Sequence, residues 1–255
     1  MTLTLTPLPG IPHIQTGDDL PGIILDALER AGIRLLEGDL LVLAQKIVSK
    51  AEGRWVDLKD VQPSQQALEW AAQIEKDPRL VELILMESQS ILRTRPGTII
   101  VEHRLGFVCA NAGIDHSNVA GEAGQESEWV LLLPEDPDRS AGSLRQALEI
   151  YSGVRLGVLI IDSHGRAWRS GTVGVAIGLS GLPGLLDLRG QVDLFGYTLR
   201  ITQVGVADEL AAAASLVMGQ ADEGKPVVHV RGFPYPLREA SLPELLRPRE
   251  QDLFR

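Results

Sequence analysis

Residues 110–119 read A-N-A-G-I-D-H-S-N-V. They gather a carboxylate (Asp115), two carboxamides (Asn111 and Asn118), a hydroxyl (Ser117) and an imidazole (His116) around a hinge glycine, Gly113. The apolar run Phe107-Val108-Cys109 precedes them and looks like the end of a strand. A second apolar run, residues 156–161, empties in the same way into Asp162-Ser163-His164-Gly165-Arg166. Taken alone, either aspartate reads as a turn cap. Taken together, with Ser117 and Ser163 beside them, they suit a hard divalent cation such as magnesium or manganese, which prefers oxygen ligands. No C-x-x-C or H-x-x-x-H spacing points to zinc.

Other stretches carry weaker signals. Leu41-Val42-Leu43-Ala44 feeds Gln45-Lys46-Ile47-Val48-Ser49-Lys50. If a helix opens there, Lys46 and Lys50 share one face. That face is either an anion cradle at a helix N-terminus or a solvated basic face, and the glycines of a phosphate loop are absent. Residues 218–225 (M-G-Q-A-D-E-G-K) close an Ala-rich helix. Gly219 suits the helix stop, and the rest is polar enough to wrap a ligand. The glycines of residues 171–184 favour close backbone packing over ligand approach. Arg166 and Arg169 either neutralise transferring oxygens or pair with surface carboxylates. Cys109 reads as a buried packing residue rather than a nucleophile. His103, His116, His164 and His229 read as surface or hydrogen-bonding residues.

The elements that must position these groups follow from periodicity and turn chemistry. Residues 2–6 alternate as a strand. Leu20, Ile23, Ile24, Ala27, Leu28 and Ala31 mark a helix with Asp18 or Asp19 as cap, Pro21 in its first turn and Gly32 as stop. Residues 39–44 read as a buried strand. Helices are expected over residues 64–76 and 78–88, strands over 98–102 and 105–110, and a loop over 121–140 around the apolar run 129–133. A helix over 143–151 stops at Gly153. The central strand spans 154–161 and another spans 198–206. An Ala-rich helix over 208–218 is capped by Asp208, and the last strand spans 226–230. Helices and strands mix without β-α-β-α alternation, so the fold class is α+β, with mixed sheets and flanking helices.

Composition narrows the function. The 255 residues are 44% hydrophobic and 23% charged, enough for one large domain or two small lobes with an ordinary core. The net charge of −10 argues against a nucleic-acid binder. The single cysteine excludes an intrachain disulfide and fits a reducing compartment. The N-terminus lacks signal-peptide character, and no segment reaches transmembrane length. The expectation is a cytoplasmic protein with no membrane contact.

The motifs together resemble the coenzyme F420 γ-glutamyl ligases. The resemblance runs from about Leu8 to Gly232, through P-L-P-G-I-P-H-I, S-K-A-E-G-R (Ser49–Arg54), N-A-G-I-D-H-S-N-V, I-I-D-S-H-G-R-A-W-R and V-A-D-E-L-A-A-A-A. It implies a single ligase domain over 1–255, of two interwoven lobes with a tail over 233–255, in an intertwined homodimer. It implies a ligase that adds L-glutamate through γ-linkages to coenzyme F420-0, with F420-1 as a further acceptor, at the expense of GTP and through an acyl phosphate. By the same resemblance, GTP meets Ile11, Pro12, His13 and Ile14, then Gln45, Lys46 and Lys50, then Asn118, then Met218, Gly219, Gln220, Ala221, Asp222, Glu223, Gly224 and Lys225. One manganese or magnesium ion sits on Asp115 and Asp162, a second near Ser163 and Gln220, and potassium is a further cation of the reaction. Lys50, Asp115 and Asp162 are the catalytic set. Ser163 stands where the family commonly has Thr and keeps the hydroxyl. Gln220 stands where some archaeal members have Glu and is the weaker ligand. Two other readings of the same residues are a metal-dependent nucleotide phosphohydrolase and a nucleotide-binding module without turnover. The second sits poorly with the presence of both aspartates and both lysines.

Overall fold

The computed structural model describes residues 2–119 and 128–253. The elements in chain order begin with β1 (Thr4–Pro7), α1 (Leu20–Arg30), β2 (Leu40–Ala44), α2 (Gln45–Ala51) and β3 (Trp55–Asp57). There follow α3 (Gln65–Ile74), α4 (Pro78–Met86), β4 (Ser88–Arg95), β5 (Thr98–His103), β6 (Val108–Ala110) and β7 (Trp129–Leu131). The chain then forms α5 (Pro137–Ser152), β8 (Gly157–Arg166), β9 (Arg169–Ser180), β10 (Leu186–Asp187), β11 (Gln203–Val204), α6 (Val206–Met218) and β12 (Val227–Arg231). The fold is α+β, as the mixed pattern predicts. No described helix is long and apolar enough to cross a membrane.

The main sheet has the order β1-β12-β2-β8-β9, with β2 and β8 parallel and the other pairs antiparallel. Its central strands are continuously apolar because both of their faces are covered. Leu41 and Leu43 of β2, with Val158 and Ile160 of β8, join one core beneath α1 and α5. Leu40, Val42, Leu159 and Ile161 point the other way into a core beneath α6. That period-2 division is what a pleated strand requires. The Ala-rich face of α6 lets it lie directly on β9. A Cβ at Gly174 would stand 2.5 Å from the carbonyl oxygen of Ala211, and one at Gly178 2.4 Å from the backbone carbon of Pro137. Gly174 and Gly178, with Gly181 against the Leu156 carbonyl, therefore serve close backbone approach, as expected, whereas Gly171 stands open and Gly184 faces the Glu244 side chain. A third core, with Ile84, Ile99, Val101 and Cys109, joins α3 and α4 to the β4-β5-β6 sheet.

Several boundaries differ from the sequence expectation. The largest difference is that Asp162–Arg166 is not a loop: β8 runs through to Arg166, paired with β9. Its first half is buried and its second half mostly exposed, so only the first half carries the apolar signature of a strand. Residues 198–206 hold only the two-residue β11, and Val206 already belongs to α6. The N-cap of α6 is Gly205 rather than Asp208, whose carboxylate instead accepts from the Ala176 N–H of β9 at 2.9 Å. Asp19 occupies the N-cap of α1 without a side-chain bond, while Asp18 accepts from the Gln15 N–H. Helix α5 begins at Pro137, capped by the Asp136 carboxylate, inside the span expected to be loop. Residues 120–127 of that span lie outside the described residues. Strands β3, β4, β9 and β10 have no counterpart in the sequence reading.

Candidate active site

Strand β2 turns into α2 without a loop, and Ala44 at its end lies beside Ile161 of β8. The first residues of α2 are thereby set against Asp162. A register shift in the β8–β9 pairing falls between Ile160 and Ile161, one residue before Asp162. Such an irregularity re-aims the side chains that follow.

These elements wall a cavity of about 810 Å³, within the usual size of a ligand site. Residues 11–14, Gln45, Lys46, Lys50, Asn118 and all of residues 218–225 line it, together with Asp162 and Ser163. Segments far apart in sequence thus converge on one chamber. The loop 218–225 is held in shape by Glu223, whose carboxylate accepts from the Ala221 N–H at 2.8 Å. Gly219 takes φ +78°, where glycine is favoured, and a Cβ there would displace the Glu223 carboxylate that holds the loop.

Lys46 and Lys50 share a face of α2. Lys46 Nζ lies 2.9 Å from Asp115 Oδ2. Lys50 Nζ donates to the Asn118 carbonyl at 2.8 Å and lies 5.3 Å from the centre of the Trp55 ring, a cation–π arrangement. Burial and then the neighbouring Lys46 lower the proton affinity of Lys50, against the pull of Asp115. The Asn118 amide in turn donates to the Ala221 carbonyl at 3.2 Å, tying the 110–119 segment to the 218–225 loop.

Asp115 does not itself line the cavity; it reaches it through Gln45 and Lys46, which do. Burial raises its proton affinity, Lys46 opposes that, and the charge of Asp162 adds to it. The two carboxylates therefore sense one another. Burial also pushes Asp162 up, but contact with the His164 imidazole and the Ser163 N–H outweighs it, and the net direction is down. Ser163 Oγ donates to Gln220 Oε1 at 2.8 Å, and Gln220 Nε2 donates to Ser215 Oγ at 3.0 Å.

This donor set fits a hard divalent ion. It holds two mutually repelling, partly buried carboxylates, a hydroxyl and a carboxamide oxygen, and no sulfur. No described group of three or more His, Cys, Asp and Glu side chains converges. Magnesium and manganese are commonly held by one or two carboxylates, with substrate oxygens and water completing the shell.

Some residues were missed by sequence reasoning. Of the two readings offered for His164, surface or hydrogen-bonding, the second holds, but the sequence reading does not name its partner: its Nε2 lies 3.0 Å from Asp162 Oδ2, and its ring packs 5.2 Å from Phe107, which stacks on His103. Only its place two residues beyond Asp162 in a continuing strand could have signalled this. Trp55 and Ser215 line the cavity, and neither has a local motif to mark it. Arg166 and Arg169 are exposed and do not line it. Cys109 is buried, and desolvation followed by the charge of Asp162 pushes its thiol up to about 12. It is no nucleophile.

Comparison with known proteins adds an independent finding. The family model described as F420-0:Gamma-glutamyl ligase matches residues 10–232. The coenzyme F420:L-glutamate ligase of Methanothermobacter thermautotrophicus is 49% identical over 257 residues, covering all of both chains. That of Methanopyrus kandleri is 47% identical, covering all of this chain and 98% of that protein. That of Archaeoglobus fulgidus is 42% identical, covering all of this chain and 97% of that protein.

Proposed function

We infer the reaction from kinship and site together: the chain belongs to the F420-0:gamma-glutamyl ligase family, and its chemistry is that of an amide-forming ligase. The proposed substrates are L-glutamate, coenzyme F420-0 (with F420-1 as a second acceptor) and GTP. The observation that carries this reading is the convergence of residues 11–14, Lys46, Lys50, Asn118 and 218–225 on one chamber bordered by Asp162 and Ser163.

A carboxylate is a poor electrophile until one of its oxygens becomes a phosphate. In the proposed first step an acceptor carboxylate oxygen takes the terminal phosphoryl of GTP, and GDP leaves. In the second, the glutamate amine attacks the acyl carbon, loses a proton, and expels phosphate. Phosphoryl transfer asks the protein mainly for positioning and neutralisation of charge. Lys46 and Lys50 supply cationic groups, and the Asn118 carbonyl and the Trp55 face fix Lys50. Asp115 and Asp162 would hold one divalent ion, and Ser163 and Gln220 a second. When bound, such ions offset charge on the transferring oxygens.

The homodimer belongs to the same reading. Strands β10 and β11 form a ribbon whose tip leaves Leu194 98% and Phe195 95% exposed. Asp193 shapes that tip by accepting from the Phe195 and Tyr197 N–H groups. A shaped ribbon presenting large apolar side chains supports a surface covered by a second copy.

Incubating the protein with GTP, manganese, L-glutamate and F420-0 should give, by mass spectrometry, the coenzyme with glutamate added, and GDP release beyond a single turnover should require both acceptor and glutamate. GDP released at the same rate without acceptor would instead identify a nucleotide phosphohydrolase.

A further inference from the structure

Gln45 and Ser49 lie one turn apart on α2; Gln45 lines the cavity and Ser49 is packed behind it. Gln45 is 1% exposed and Ser49 fully buried. Gln45 Nε2 donates to Asp115 Oδ2 at 2.7 Å, and Ser49 Oγ lies 2.8 Å from Gln45 Oε1. An ionised carboxylate only accepts, so the Gln45 amide must turn its NH2 to Asp115 and its carbonyl to Ser49, and the Ser49 hydroxyl must donate. Reversed, the amide would set its carbonyl against the Asp115 carboxylate and leave that buried end unmatched.

The second contact on Asp115, from Lys46, falls on the same Oδ2 atom. Among the described residues no hydrogen bond to Oδ1 is made. From this geometry we propose that Ser49 and Gln45 are positioning residues: Ser49 fixes the Gln45 amide, and Gln45 with Lys46 saturates one oxygen of Asp115 so that the other faces a divalent cation. The proposal rests on the divalent-cation reading above and goes beyond it. It takes Gln45, expected as a nucleotide contact, into the support of the metal ligand, and gives a role to Ser49. Partners behind a metal ligand commonly change affinity 10–100-fold when removed.

The test is manganese binding to the full chain, read by loss of the free-ion electron paramagnetic resonance signal without GTP or coenzyme. Thermal unfolding of each variant is followed alongside. Ser49→Ala is expected to weaken manganese binding roughly tenfold, and Gln45→Met roughly 10–100-fold. Ser49→Thr, which keeps the hydroxyl, is expected to stay within about twofold of the unaltered chain. Gln45→Met carries the test if Ser49→Ala does not fold. If both Ser49→Ala and Gln45→Met bind manganese like the unaltered chain while Asp115→Asn does not bind, the positioning role is wrong and the cation reading stands. Ser49→Thr as weak as Ser49→Ala also overturns the role, because packing rather than the hydroxyl would then matter. If Asp115→Asn and the unaltered chain bind manganese equally, or neither binds, the cation reading falls and the positioning role falls with it.

Discussion

Ser163 on β8 donates its hydroxyl hydrogen to Gln220 Oε1, 2.8 Å away in the loop after α6. This bond joins the sheet to the loop across the floor of the cavity, and it turns the carboxamide oxygen rather than the nitrogen toward Ser163. Gln220→Glu keeps the acceptor and adds a charge. Because affinity in oxygen-ligand sites rises with ligand charge, manganese should bind roughly tenfold more tightly. Titration with calorimetric detection checks this, and unchanged affinity would place Gln220 outside the cation's reach.

Lys50 is the lysine held by both Asn118 and Trp55. Lys50→Ala should lower kcat by roughly 10²–10³, the usual loss when one preorganised donor to developing charge is removed. The fold should survive, since the side chain is only partly buried. Initial rates of GDP release across GTP concentrations separate kcat from KM. An effect confined to KM would reduce Lys50 to ground-state binding.

His103 gives stability a pH dependence of its own. It is fully buried, and its Nδ1 accepts from the Leu105 N–H at 3.1 Å. Burial lowers it from 6.5 to about 4, partly opposed by the Glu87 carboxylate. A base whose folded value is depressed takes up its proton in the unfolded chain first. Its contribution is therefore complete above pH 6.5 and lost as pH falls toward 4. The loss is of order 3 kcal/mol at most. Denaturant unfolding between pH 7 and pH 4 should show that slope, and His103→Phe should flatten it. Asp39 acts lower on the scale. Burial pushes it up, but His229 and Arg231 outweigh that and hold its carboxyl well below the usual range, so its contribution fails only in stronger acid.

The ribbon between β10 and β11 predicts a change in assembly. Leu194→Asp with Phe195→Asp places two charges where an apolar contact is expected. If the homodimer proposed above forms through this tip, sedimentation should show the unaltered chain as a dimer and the double variant as a monomer at micromolar concentration, still folded because neither side chain contributes to a core of its own chain. A dimer that persists in the double variant would move the interface elsewhere.

Where a residue's function depends on burial by its neighbours in the chain, the sequence was readable. Strand β2 follows from its apolar run and the tight glycines of β9 from small side chains in apolar sequence, whereas the sequence offers α2 only as a condition for pairing Lys46 with Lys50. The spacing of Lys46 and Lys50 puts them on one face, but it does not give their partners, Asp115 and the Asn118 carbonyl, which come from a distant segment. The second half of β8 is held by pairing with β9 rather than by burial, so the sequence places Asp162 after a strand rather than within one. His164, in contact with Asp162, also packs against Phe107, which comes from the turn before β6. The bond between Gln220 and Ser163 joins residues 57 positions apart, and no local spacing encodes it.

Trp55 lies on the cavity wall with the Lys50 ammonium 5.3 Å from its ring. An indole in the field of a single cation is an optical reporter. A phosphate-bearing ligand that draws the ammonium off the ring alters that field and shifts the emission of Trp55. The other tryptophans, Trp70, Trp129 and Trp168, do not line the cavity. Replacing those three with phenylalanine would leave a chain whose ultraviolet fluorescence reports occupancy of this chamber alone, with no label attached.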